Sequence, residues 1–166
     1  MRKITEKNLN DAFAGESQAH MRYLIFAEKA EEEGFPNVAR LFRAIAFAEQ
    51  VHAINHYNVL GMTRSTTENL QVAIDGETYE VNEMYPAYNA VAKLQEERSA
   101  QRTTEWALQA ERIHASIYQK AKQSVESGRD VQLGTIYVCS VCGYTSEEEI
   151  DRCPICGAIK EKIRKF

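Results

Sequence analysis

Two pairs of the same kind stand out along the chain: Glu49 with His52, and Glu111 with His114, each a carboxylate and an imidazole three residues apart. On a helix, positions i and i+3 lie about 60° apart around the axis and about 4.5 Å apart along it. Both side chains of a pair can therefore reach one metal ion, and the carboxylate keeps an oxygen free to bridge to a second. Glu16 is a third carboxylate of interest, because it interrupts an apolar stripe formed by Phe13, Ala19 and Tyr23. The cysteines make a separate chemical group. Cys139-Ser-Val-Cys142-Gly and Cys153-Pro-Ile-Cys156-Gly are paired knuckles with ten residues between them. Thiolates at i and i+3 in a tight turn share one tetrahedral metal, and the following Gly permits the close backbone geometry. Four sulfurs suit Zn²⁺ or a single iron.

Helices must position the first group. Residues 5–33 carry Leu9, Ala12, Phe13, Ala19, Tyr23, Phe26, Ala27 and Ala30 at spacings of three and four, which predicts a helix. Thr5 is its expected N-cap and Gly34-Phe35-Pro36 its end. A second helix from Pro36 to Gly61 has Val38, Leu41, Phe42, Ile45, Ala46, Ala53, Val59 and Leu60 on one face. Residues 62–79 read as a connection, polar over Thr63–Asn69 and turn-like at Ile74-Asp75-Gly76-Glu77. It is far longer than the link between antiparallel neighbours and long enough to run the length of a bundle. Residues 80–125 are helical again, with a break expected near Ser99 or Thr103-Thr104. Pro86 must lie in the first turn of the third helix or kink it. Gly128-Arg129-Asp130 reads as a linker, and composition changes to Cys, Gly and short apolar runs after Thr135. The expected fold is mainly α, a ferritin-like four-helix bundle with one long crossover over residues 1–130. A small metal-knuckle domain follows over residues 134–166.

The carboxylates fall where a core should be. Glu49 and His52 share a stripe with Phe42, Ile45, His56 and Val59, and Glu111 and His114 share one with Thr104, Ala107, Tyr118, Ala121 and Val125. An uncompensated carboxylate in an apolar interior costs on the order of tens of kcal/mol by a Born estimate. Bound divalent cations offset that cost and the mutual repulsion together. The third helix should supply a further ligand. Glu80 and Glu83 are candidates just ahead of Met84-Tyr85-Pro86, with Glu96 and Glu97 as alternatives near the helix end.

Taken together these residues resemble the rubrerythrin family, over nearly the whole chain. The match consists of Glu16, Glu49-x-x-His52, Glu80-x-x-Glu83-Met-Tyr-Pro, Glu111-x-x-His114 and a C-terminal rubredoxin-like knuckle. The resemblance implies a pair of irons bridged by Glu49 and Glu111. Glu16 with His52 or Glu83 would complete one iron, and Glu80 with His114 the other, with Glu83 and His52 exchanging as oxidation state changes. It implies Tyr23 and Tyr88 as hydrogen-bond donors to the carboxylates, and iron at Cys139, Cys142, Cys153 and Cys156, with zinc as the alternative. The implied activity is an NAD(P)H-linked peroxidase that reduces hydrogen peroxide to water. Its electrons would come from a donor protein, such as a rubredoxin or an NAD(P)H-dependent reductase, and pass through the rubredoxin-like iron.

A net charge of −4 without a long basic run argues against a nucleic-acid partner. No apolar stretch is long enough to span a bilayer and no secretory signal is present, so the expected address is the cytoplasm. There, four cysteines are metal ligands before they are disulfides. A ferritin-like iron-oxidising or storage protein would use the same helices but has no use for the cysteines. A zinc-ribbon interaction protein would explain the cysteines and leave the carboxylates idle. A homodimer is expected, with helices exchanged between copies through the long linker. A knuckle hanging from the last helix would stand tens of Å from the carboxylates, at about 1.5 Å per residue. A head-to-tail partner would shorten that distance.

Overall fold

Alanines decide how the first two helices meet. The computed structural model, which describes residues 1–166, places α1 at Lys3–Glu32 and α2 at Pro36–Leu60. Ala39, Ala46 and Ala53 recur every seventh residue of α2 and are buried, as are Ala27 and Ala30 of α1. A seven-residue repeat keeps one seam facing the partner helix. With only methyl groups on that seam, Ile25, Leu41, Ile45, Phe47 and Ile54 stay exposed. Pro36 occupies the first turn of α2, and Gly61 ends that helix in the left-handed region at φ 66°. The start of α1 differs from expectation. Arg2 stands at the cap without a side-chain bond, and Thr5 lies inside the first turn.

Residues 62–79 are not the irregular, turn-like connection that their composition suggests. A third helix, α3, runs Thr66–Tyr79, so the connection shrinks to residues 61–65. The helix opens with a reciprocal cap. The Ser65 hydroxyl accepts from the Glu68 backbone N–H, and the Glu68 carboxylate accepts from the Ser65 N–H at 3.2 Å. Gly76 disguised this helix as a turn. A glycine inside a helix costs about 1 kcal/mol relative to alanine, which burial elsewhere, as at Ile74, can offset.

A single wide π turn over Glu80–Met84 follows, in which the Tyr85 N–H donates to the Glu80 carbonyl five residues back. Helix α4, Tyr85–Leu94, then carries Pro86 in its first turn. Pro86 has no N–H for the Asn82 carbonyl and its ring crowds that oxygen, so a wider preceding turn relieves the clash. The next break is residues 95–97, where Glu96 takes φ 59°. It precedes the expected caps, which lie inside α5, Arg98–Glu126. Asn89, a buried polar residue, ties α4 to α5: its Nδ2 donates to the Gln101 carbonyl at 2.8 Å and to Thr104 Oγ1 at 2.9 Å.

The cysteine region forms a three-stranded antiparallel sheet in the order β2-β1-β3. Its strands are β1 Tyr137–Cys139, β2 Thr145–Ser146 and β3 Ile163–Lys165. Lys120 of α5 pairs with Glu147 beyond β2 at 2.6 Å. The chain divides into two compact units, Met1–Arg64 and Ser65–Phe166. The fold is mainly α with this small sheet, and no helix is long and apolar enough to cross a membrane.

Candidate metal centres

Cys139 Sγ lies 3.6 Å from Cys156 Sγ, and Cys142 Sγ lies 3.4 Å from Cys153 Sγ. A tetrahedral ion with metal–sulfur bonds of about 2.3 Å needs sulfur–sulfur edges of about 3.8 Å. The four thiols therefore fit one such ion. The knuckles are two copies of one turn: the Gly143 N–H donates to the Cys139 carbonyl and the Gly157 N–H to the Cys153 carbonyl, each at 2.9 Å. Both glycines take positive φ, 79° and 75°, as their place after the second cysteine requires. Burial pushes the Cys142 thiol up. Cys153 is drawn down against its own burial by the N–H groups of Cys156 and Ile155. A cation replaces the protons that burial otherwise keeps on such sulfurs.

Both Glu-x-x-His pairs converge as their spacing requires. In the unit Met1–Arg64, Glu16, Glu49 and His52 form one group, with His52 Nδ1 at 3.0 Å from Glu49 and 3.9 Å from Glu16. In the unit Ser65–Phe166, Glu77, Glu111 and His114 form another, with His114 Nδ1 at 2.6 Å from Glu111 and 4.0 Å from Glu77. The carboxylates of Glu49 and Glu111 are each 17% exposed, whereas His52 is 54% exposed. Half-buried faces hold these groups, not the sealed core that the stripes implied.

The third-helix residues fall differently. Glu77, read from the sequence as part of a turn, joins Glu111 and His114. Glu80, half-buried at the start of the π turn, feels the same neighbours. Burial raises its carboxyl first, then the charge of Glu111, with His114 pulling the other way. Glu83 is exposed, and the structure does not bring it to this group. Glu77-x-x-Glu80 has the same spacing as Glu80-x-x-Glu83 one turn earlier, and that repetition was the available signal. The tyrosines shift as well. Tyr23 packs against Phe26 and Phe42, with ring centroids 6.3 and 6.1 Å away. Tyr88 is exposed and meets Tyr85 edge-on. Tyr85, not singled out before, is the tyrosine that senses the carboxylates. Burial raises its phenol, and the charges of Glu80, Glu111 and Glu77 raise it further.

Glu77 is pushed up to about 8, by burial first and then by its hydrogen bond to Glu111 and the charges of Glu111 and Glu80. Glu77 beside Glu111 thus favours a proton, and a divalent cation held by the same carboxylates would offset the same burial and repulsion. The consequence for stability has a definite sign. A carboxyl raised on folding contributes stability that is complete below its ordinary value of 4.5 and lost as pH rises through about 8. The melting temperature of iron-free protein should therefore fall between about pH 5 and pH 8.5. Saturating metal should flatten that dependence and release protons on binding. An iron-free melting temperature that does not fall across this range would contradict the raised carboxyl of Glu77.

His114 has a second role. Its Nε2 lies 2.9 Å from Thr145 Oγ1 and 3.2 Å from the Gly143 carbonyl, one residue beyond Cys142. The expectation that the knuckle stands tens of Å away within one chain is overturned. It folds back onto α5, where Gly143 also packs toward Ala110.

Comparison with known proteins agrees with this geometry. The family model described as rubrerythrin matches residues 7–122, and that of the rubrerythrin, rubredoxin-like domain matches residues 137–164. Rubrerythrin-2 of Clostridium acetobutylicum is 46% identical over 98% of this chain and 97% of its own. Nigerythrin of Nitratidesulfovibrio vulgaris is 34% identical over 98% of this chain and 86% of its own. Among solved structures, nigerythrin in mixed-valence and in fully reduced, all-ferrous states aligns with a TM-score of 0.56 and 32% identity. Those alignments span 98% of this chain and 86% of nigerythrin. The chain belongs to the rubrerythrin family, with that family's di-iron site in its ferritin-like helices and a four-cysteine site in its rubredoxin-like knuckle.

Proposed function

We propose that this chain is a peroxidase that reduces hydrogen peroxide to water, with the knuckle metal as an iron that passes electrons to the di-iron site. The observation that carries the reading is His114, whose Nδ1 faces Glu111 while its Nε2 faces the knuckle at Gly143. A paired ferrous site supplies two electrons together and a tetrathiolate iron one at a time, which suits H₂O₂ + 2e⁻ + 2H⁺ → 2H₂O. The proposed ligands are Glu16, Glu49, His52, Glu77, Glu111 and His114. Glu80 stands beside them as a carboxylate able to join or leave, and Tyr85 as a phenol able to donate a hydrogen bond to them. Residues 1–130 and 134–166 are proposed as the catalytic and electron-supplying modules of one cytoplasmic enzyme.

Electrons would come from NAD(P)H through a reductase or a rubredoxin-type donor docking at the knuckle. A homodimer with exchanged helices is the proposed assembly, although the connection at residues 61–65 is short. Its support is that each compact unit carries three ligands and leaves apolar side chains exposed, such as Phe47 and Ile54 in the first and Val72 and Val91 in the second. Iron storage is the competing reading, but it gives no purpose to a knuckle held against His114. The test is anaerobic: fully reduced, iron-loaded protein is mixed with measured hydrogen peroxide. One peroxide consumed per two electrons lost, faster than the reaction with dioxygen, is the expected result. Slow or absent peroxide consumption would remove the peroxidase.

A further inference from the structure

An imidazole that binds a metal through one nitrogen carries its proton on the other, and that proton needs an acceptor. His114 turns Nδ1 toward Glu111, at 2.6 Å, and Nε2 toward the knuckle. Two oxygens meet Nε2 there. The Gly143 carbonyl at 3.2 Å can only accept. Thr145 Oγ1 at 2.9 Å is nearer, and it donates its own hydrogen to the same Gly143 carbonyl at 3.0 Å. A hydroxyl whose hydrogen is already committed offers its lone pairs to Nε2–H. One proton arrangement satisfies the triangle and leaves a metal-binding nitrogen: Nε2–H donates to both oxygens, and the Nδ1 lone pair is free for a cation held between it and the Glu111 carboxylate.

From this geometry we infer that Thr145 is a positioning residue, whose hydroxyl fixes the His114 ring and its Nε2–H tautomer so that Nδ1 is the metal-binding nitrogen. The inference rests on the proposed ligation by His114. Thr145 opens β2, paired to β1 at Val138, next to Cys139. The hydroxyl's place is thus set by the folded knuckle and not by a mobile side chain on α5. Hydrogen-bond partners of metal-bound histidines change metal affinity by about 10–100-fold when removed.

Thr145→Val keeps the branched shape and deletes the hydroxyl, while Thr145→Ser keeps the hydroxyl and deletes the methyl. Two readouts are taken on the full chain: zinc affinity of the carboxylate–histidine site by chelator competition, and ring-nitrogen spectra of ¹⁵N-histidine-labelled, zinc-loaded protein. Expected for Val are an affinity loss of about 10-fold or more and faster solvent exchange of the His114 Nε2–H, with both restored in Ser. Wild-type behaviour of Val in both measurements would overturn the proposal. So would a Ser variant as impaired as Val, since packing would then be the cause. If wild-type Nδ1 shows no metal-dependent shift, the ligation reading fails, and that outcome is separate from the effect of the hydroxyl on exchange.

Discussion

Glu77→Gln is expected to reduce iron bound at the carboxylate–histidine site by more than about 100-fold in affinity, since losing a ligand should exceed losing a ligand's hydrogen-bond partner. Peroxide turnover should fall with it. Glu83→Gln is expected to leave both near wild type. The contrast follows from position: Glu77 shares a hydrogen bond with Glu111, and Glu83 is exposed on the π turn. The amide is nearly isosteric, so the fold should survive. Iron-free Glu77→Gln should also lose most of the fall in melting temperature between acidic and alkaline pH, because the titrating carboxyl is gone. Metal analysis of the two purified variants decides the matter. Iron loss in Glu83→Gln with retention in Glu77→Gln would return the ligand role to Glu80 and Glu83.

The second large effect concerns the knuckle. Cys139 is buried at 1% exposure and forms one corner of the thiol tetrahedron. Cys139→Ser replaces a soft ligand with a poor one, and a small metal domain without its ion loses most of its folding free energy. Residues 137–165 should become protease-sensitive while the helices keep their circular dichroism. Peroxide turnover driven by a protein donor should drop by at least about 100-fold, whereas a chemically reduced di-iron site should still consume peroxide once. Donor-driven turnover equal to wild type would remove the knuckle from the electron path.

The four cysteines were legible because their spacing alone closes a tetrahedron, and both Glu-x-x-His pairs because i, i+3 survives any uncertainty in helix ends. The third helix was not legible. Gly76 and the polar run before it carry turn composition, which outweighs the reciprocal Ser65–Glu68 cap as a local signal. With α3 hidden, the sequence offers Glu80 and Glu83 but no reason to look one turn earlier, to Glu77, which the fold brings to Glu111 and His114. The break at Glu96 was illegible for another reason: a glutamate with positive φ carries no signature in residue type. The contact of the knuckle with His114 depends on a path through residues 127–136, which no local pattern encodes.

The wide turn at Glu80–Met84 has a consequence for what this segment tolerates. One extra residue per turn changes the angular phase of everything after it by roughly 100°. A regular helix through residues 66–94 would lock the direction of Glu77 to that of Asn89, so neither could be tuned alone. With the phase reset between them, α3 can aim a carboxylate while α4 independently presents Asn89 and Ala92 for burial. The segment works as a clutch between chemistry and packing, and removing one residue from it would re-engage the two.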